Sequence, residues 1–108
     1  MRWIILNKWV PKGFAGITLF PCIFVAHKKW LQNAAFINHE KIHLRQQLEL
    51  LILPFFIWYG FEFILRLIQY RNKRKAYRNI SFEREAYANE ANKKYLQNRR
   101  LFSFIRYL

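Results

Sequence analysis

The sequence predicts an α+β fold that is mostly helical, and three observations lead to this prediction. Residues 14–26 are rich in Phe, Ile, Thr and Val, which favours short extended segments. Residues 34–53, 55–70 and 81–98 favour three helices with recognisable ends. The chain has 108 residues, of which 54% are hydrophobic, so it can bury one core of modest size. We therefore expect a single domain that covers residues 1–108.

The N-terminal segment is expected to supply the strands. Residues 1–13 predict a short strand or arm that closes in a Pro-Lys-Gly turn at 11–13. Residues 14–26 follow as extended chain, and Pro21 interrupts them because proline cannot donate a backbone hydrogen bond to a neighbouring strand. This interruption predicts two short strands within the segment.

The helix ends are predicted from capping and breaking residues. Asn33 can cap the first helix, and Pro54 stops or kinks that helix because it lacks a backbone N–H. The second helix is strongly apolar, and a basic connector at residues 71–78 follows it. Ser81 can cap the third helix, and the tail at 99–108 then alternates basic and apolar residues.

The charge balance narrows the classes of partner. The chain has 19 Lys and Arg against 6 acids, and its formal net charge of +13 attracts anionic surfaces. The connector has Tyr70 and Tyr77 for stacking on bases, but no recognised nucleic-acid module accompanies them. We therefore expect this basic patch to be solvated or to face an anionic membrane surface, rather than to bind nucleic acid.

The single cysteine and the N-terminus bear on the compartment. Cys22 excludes an internal disulfide and a cysteine-rich zinc site, which fits a reducing compartment. The apolar stretch at 3–6 is too short for a signal peptide, and lysines follow it. We expect the protein in the cytoplasm, or on the cytoplasmic face of the inner membrane.

The second helix leaves the membrane question open. Residues 50–61 carry no charge, and apolar character continues to residue 68. Glu62 and Arg66 interrupt it, but residues four apart can pair on one helix face. A membrane span needs about 20 predominantly apolar residues. The segment is therefore compatible with a buried core helix and with an interfacial or spanning helix.

The candidate metal-binding and catalytic motif is H-E-x-x-H at residues 39–43. His39 and His43 lie one turn apart on the same helix face, so both imidazoles can reach one Zn²⁺ ion at about 2.0–2.1 Å. Glu40 is the expected general base, because it can take a proton from water that the zinc activates. The motif therefore predicts a zinc cofactor, two metal ligands and one catalytic residue.

A catalytic zinc site usually has three protein ligands and one open position. His27 lies beside two lysines in a predicted loop, which favours an exposed residue. Glu62 follows the motif by 19 residues, but it lies inside the apolar helix with Arg66 as a natural partner. The better candidates for the third ligand are Glu83 and Glu85.

HEKIH followed by SFEREAYANE resembles the gluzincin metallopeptidases, and is closest in style to the HtpX-like membrane peptidases and the small minigluzincins. In these families a second helix supplies a Glu ligand, with Ala three residues on and often an acid or amide four residues on. Glu83 matches this pattern through Ala86 but has Tyr87 at the fourth position.

The family pattern can also be aligned with Glu85 as the ligand. Glu85 matches the family pattern through Ala88 and Asn89, and Asn89 would then be the partner of a ligating histidine. Glu83 and Glu85 are two residues apart and point to different helix faces, so only one of them can bind. The resemblance covers about 60 residues of the chain.

The resemblance implies short strands packed on the H-E-x-x-H helix, an apolar connecting helix and a glutamate-bearing helix. It also implies an enzyme, a zinc metallopeptidase that hydrolyses a peptide or protein substrate. Tyr87 and Tyr95 are candidates to stabilise an oxyanion, although a Tyr on an amphipathic helix more often packs in the core. The chain is short, however, so the alternative is a non-catalytic zinc-binding or membrane-associated interaction protein.

Overall fold

The N-terminal strands form one small sheet in the computed structural model, which describes residues 4–6, 10 and 14–108. Within these residues three strands are present: β1 (Ile4–Leu6), β2 (Gly16–Leu19) and β3 (Cys22–Val25). Their order is β1-β3-β2, with β1 parallel and β2 antiparallel to β3. The turn predicted at 11–13 lies outside the described residues.

The interruption at Pro21 is confirmed. Leu19 of β2 pairs with Cys22 of β3, so Phe20 and Pro21 form the turn between the two strands. A proline is tolerated there because the turn requires no ladder hydrogen bond from it.

Helices make up most of the remaining chain, which confirms the mostly helical α+β class. The described helices are α1 (Ala34–Leu50), α2 (Ile52–Tyr70), α3 (Lys73–Arg78), α4 (Ser81–Asn89) and α5 (Tyr95–Asn98). Short 3-10 turns lie at Lys28–Gln32 and Ser103–Tyr107.

The first helix begins as predicted and ends earlier than predicted. The side chain of Asn33 accepts a hydrogen bond from the backbone N–H of Phe36 at 3.1 Å, which caps α1. The break falls at Leu51, whose φ is 61°. Pro54 lies in the first turn of α2, where a backbone N–H has no acceptor within the helix and its loss costs little.

Glu62 shapes the start of α4. Its carboxylate accepts hydrogen bonds from both the backbone N–H and the hydroxyl of Ser81, the former at 2.9 Å. Ser81 is therefore the first helical residue rather than the cap, and an acid from α2 satisfies the helix N-terminus. The predicted helix at 81–98 is also divided, because α4 ends at Asn89 and α5 begins at Tyr95.

Two apolar clusters hold these elements together. Ile23 and Val25 of the sheet pack against Leu44 of α1, which places the sheet on the motif helix. The other cluster joins α2, α4 and the C-terminal 3-10 turn, and its buried members are Phe55, Ile80, Phe82 and Phe104. Leu50 of α1 packs against this second cluster, so both clusters contact the motif helix.

The second helix is not a buried core helix. Only 11% of the most apolar 18-residue stretch of α2 is buried, which is too little for a core helix. By length and composition alone, α2 could cross a membrane. Phe55 and Glu62 are its buried residues. The other residues of α2 are half-buried or exposed.

Candidate metal centre

The two motif histidines are buried side by side on α1. His39 and His43 are 5% and 6% exposed, and their Nε2 atoms lie 3.2 Å apart. Because α1 is a regular helix here, the spacing of four residues directs both rings to the same point, towards α4.

Glu83 of α4 completes the group. Its Oε1 atom lies 3.1 Å from Nε2 of His39 and 3.1 Å from Nε2 of His43. In a tetrahedral zinc site with bonds of about 2.0–2.1 Å, neighbouring ligand atoms are about 3.3 Å apart. The buried His39-His43-Glu83 group could therefore hold a metal ion with almost no movement of its side chains.

Glu90 determines the protonation of the first ring. Nδ1 of His39 lies 2.8 Å from a carboxylate oxygen of Glu90. A carboxylate only accepts hydrogen bonds, so Nδ1 must carry the proton. In a neutral imidazole the other nitrogen, Nε2, then presents a lone pair to the group.

Gln46 determines the protonation of the second ring. Its amide nitrogen donates to the Phe82 carbonyl at 3.1 Å and to Glu85 at 2.9 Å, so its oxygen must face His43. That oxygen lies 2.8 Å from Nδ1 of His43 and accepts the proton there. Nε2 of a neutral His43 therefore also presents a lone pair.

Three acceptor atoms thus converge on one point, and this arrangement requires a positive charge between them. Burial alone would lower the pKa of His43, but Glu83, Glu40 and the Gln46 oxygen together more than offset it and raise this pKa from 6.5 to about 9. Burial alone would raise the pKa of Glu83, but the imidazoles, His43 foremost, hold it well below its usual range. Either a proton on His43 or a metal ion satisfies the group.

The remaining oxygen of Glu83 is also held. The hydroxyl of Tyr59, on α2, donates to Oε2 of Glu83 at 2.8 Å. Each of the three side chains in the group therefore has an outer partner that orients it, namely Glu90, Gln46 and Tyr59. Such partners are a regular feature of metal ligands in proteins.

Glu40 lies beside the group rather than in it. Its side chain is buried, and Oε2 accepts a hydrogen bond from the hydroxyl of Thr18 on β2. Glu40 and His39 both line an open cavity of about 1090 Å³. Aromatic side chains, Tyr59 among them, form much of the cavity wall, together with several charged ones. Tyr87 packs edge-on against His39, with 4.5 Å between the ring centroids.

Glu85 lies in a different environment. It accepts hydrogen bonds from Gln46, from the Tyr95 hydroxyl at 2.6 Å and from the guanidinium of Arg99. Arg99 also pairs with Glu49 of α1, so these buried charges tie the C-terminal segment to the helices. Tyr95 therefore contacts Glu85 and not the histidines.

The other residues that the sequence offered as ligands, or as partners of a ligand, do not join the group. Asn89 donates to the Glu85 carbonyl and to the Tyr107 hydroxyl, and Glu90 takes the place beside His39 that was predicted for Asn89. His27 is exposed next to the first 3-10 turn. Glu62 is occupied with Ser81 and stands apart from the group.

Some contributors to the site were not predicted. Glu90 lies seven residues after Glu83, two helical turns on, and this spacing on one face was a usable signal. Gln46 follows His43 by three residues, a spacing that lets it brace the metal site, although exposed helix polarity is the role that the sequence favours. Tyr59 and Thr18 come from other elements, and no sequence spacing indicates them.

Comparisons of the chain with protein-family models, with curated proteins and with solved structures gave no match.

Proposed function

We propose that this protein is a zinc-dependent hydrolase of the metallopeptidase type. His39, His43 and Glu83 are the proposed ligands, and Glu40 is the proposed general base. The observation that carries the proposal is the convergence of three acceptor atoms, 3.1–3.2 Å apart, in a buried position. Zn²⁺ bound there would polarise a substrate carbonyl. It would also lower the pKa of a bound water, so that hydroxide is available to attack that carbonyl.

The contacts of Glu40 support its role as the base. Thr18 holds one carboxylate oxygen, which limits the orientations of the side chain. Glu40 lines the cavity next to His39, so its carboxylate can accept a proton from water on the cavity side of the ligands. It can then return that proton to the leaving group of the substrate.

The cavity supports a peptide or another acyl compound as substrate. Phe14, Trp30, Phe36 and Phe63 contribute apolar walls that can accept side chains of a substrate. Ligand pockets of this kind combine apolar walls with a few polar groups. Here the polar and charged lining residues include His39, Glu40, Lys73, Arg74, Arg78 and Glu90.

A non-catalytic zinc protein is the second candidate, and one observation favours it. The three proposed ligands come from α1 and α4, so a metal would link these two helices directly. Asn38 already links them, because its amide donates to the Glu90 carbonyl at 2.9 Å. A zinc ion with a structural role would strengthen this same contact.

Substitution of Glu40 separates the two candidates. We expect the purified protein to bind one equivalent of zinc and to cleave members of a fluorogenic peptide library. Glu40→Gln removes the base but no ligand, so this variant keeps zinc and its hydrolysis falls by about a hundredfold or more. His43→Ala is the matched variant, and it loses both zinc and hydrolysis.

The outcomes are distinct. Zinc bound by the wild type without hydrolysis of any library member would favour the structural role. Retention of stoichiometric zinc in His43→Ala would show that this group is not the metal site.

A further inference from the structure

One face of α2 is apolar, and none of the residues that the structure describes covers it. Six large side chains on it are each between 50% and 70% exposed. They are spaced by three, four or one residues, so they form one continuous line along the helix. This apolar stripe consists of Leu53, Ile57, Phe61, Ile64, Leu65 and Ile68.

The opposite face of α2 is committed to the domain. Phe55 packs on Phe82, with ring centroids 4.5 Å apart. Tyr59 holds Glu83, and Glu62 holds the start of α4. The helix therefore cannot turn its stripe inwards without breaking these contacts. An exposed apolar surface of this extent on a monomer usually marks an interaction site.

The charges beside the stripe indicate what it binds. Exposed cations begin directly at the C-terminal end of α2, with Arg71, Lys73, Arg74 and Lys75. An anionic bilayer uses both features, because acyl chains accept the apolar side chains and lipid headgroups attract the cations. A nucleic acid would use the cations and leave the stripe in water.

We infer that the apolar stripe docks this protein on an anionic lipid bilayer, with α2 in the plane of the interface. The 19 residues of α2 are about 28 Å long, so the stripe can lie along the surface over its full length. A spanning orientation is disfavoured, because it would carry the buried Glu62 and the helix end that it caps into hydrocarbon.

This orientation has a consequence for the cavity. Lys73 and Arg74 of α3 follow the last residue of the stripe by five and six positions, and both also line the cavity beside His39. Docking would therefore place the cavity close to the lipid headgroups. The docking itself depends on α2 and the cations, and it does not depend on whether the site holds a metal.

Flotation of the full chain with lipid vesicles tests the proposal. We expect binding to phosphatidylcholine vesicles that contain phosphatidylglycerol, weaker binding without that anionic lipid, and weaker binding at high salt. The triple variant Ile57→Gln, Phe61→Gln and Ile64→Gln should bind at least about tenfold more weakly, since binding scales with buried apolar area.

Two further variants serve as controls. Leu6→Gln, Leu19→Gln and Leu31→Gln combined remove exposed apolar side chains elsewhere and should leave vesicle binding unchanged. Arg71→Gln with Lys75→Gln should reduce binding to anionic vesicles only. Circular dichroism confirms that each variant is folded.

Several results would overturn the proposal. It is wrong if the wild type does not float with anionic vesicles, or if the triple stripe variant floats equally well. A concentration-dependent dimer that the stripe variant abolishes, without vesicle binding by the wild type, would assign the stripe to a second copy of the chain. Binding of an RNA oligonucleotide that survives in the stripe variant, again without vesicle binding, would assign the cations to nucleic acid.

Discussion

The carboxylate of Glu90 lies 2.8 Å from Nδ1 of His39, and this contact directs the lone pair of the other ring nitrogen at Glu83. Without Glu90 the ring would be free to carry its proton on Nε2, inside the candidate metal centre. A residue at the end of α4 thus controls what a residue on α1 can bind.

Removal of this contact should weaken metal binding. We expect Glu90→Ala to lower zinc affinity by about 10–100-fold, the usual cost of losing an outer partner of a metal ligand. Glu90→Gln should lose less, because its amide oxygen can still accept the Nδ1 proton. Competition with a chromogenic chelator measures both, and equal affinity in all three proteins would contradict this role of Glu90.

The two glutamates considered for the third ligand should respond differently to substitution. Glu83→Gln removes the carboxylate that contacts both imidazoles, so we expect loss of stoichiometric zinc. Glu85→Gln should keep zinc, but it leaves the buried Arg99 short of one partner and should lower the free energy of unfolding by about 3 kcal/mol. Metal analysis and urea unfolding distinguish the two effects, and zinc loss in Glu85→Gln alone would reverse the assignment.

The metal-free protein should lose stability at alkaline pH. The pKa of His43 is raised from 6.5 to about 9 in the folded state, chiefly by Glu83 acting against burial. Its contribution is therefore complete below pH 6.5 and is lost as the pH rises through about 9; from the size of this shift it amounts to about 3 kcal/mol at most. Thermal unfolding in the presence of a chelator, from pH 6 to 10, measures this slope.

Zinc binding should show the opposite dependence. A metal ion displaces the proton of His43, so zinc affinity should rise between pH 6.5 and about 9, by about tenfold per pH unit for one proton released. For the thermal unfolding of the metal-free protein, His43→Gln is the control, because it should remove the dependence of stability on pH. A metal-free wild type whose stability does not change over this range would contradict the assignment.

The two described glycines offer a matched pair for stability. A Cβ on Gly16 would lie 2.7 Å from the backbone oxygen of Phe24 and 2.7 Å from the ring of Phe36. Gly16→Ala should therefore destabilise the sheet on α1 by about 1–3 kcal/mol. A Cβ on Gly60 meets nothing within 4 Å, so Gly60→Ala should stabilise α2 by about 0.5–1 kcal/mol. Urea unfolding of both variants tests the packing, and stabilisation by both would contradict it.

Local features of the fold were predictable from the sequence. Asn33 was identified as the cap of α1 because capping depends on residues within one turn. Pro21 was identified as a strand break for an equally local reason, its missing N–H. One helix end that was wrong depends on a distant contact, because Glu62 takes over the capping that was predicted for Ser81.

The site was predictable in part for the same reason. The sequence alone determined that His39 and His43 share one helix face, because a spacing of four residues is a property of the helix itself. The sequence did not decide whether Glu83 or Glu85 is the third ligand, since each matches the family pattern in its own alignment. It also left the environment of α2 open, because apolar composition is the same for a core helix and a surface helix.

The tertiary structure decided these questions through packing. The position of α4 against α1 turns Glu83 towards the imidazoles and Glu85 towards Arg99, because residues two apart on a helix point in nearly opposite directions. The same packing uses one face of α2 and leaves the apolar stripe uncovered. Which residues meet across 40 or more positions of the chain depends on how helices pack, and no local pattern contains that information.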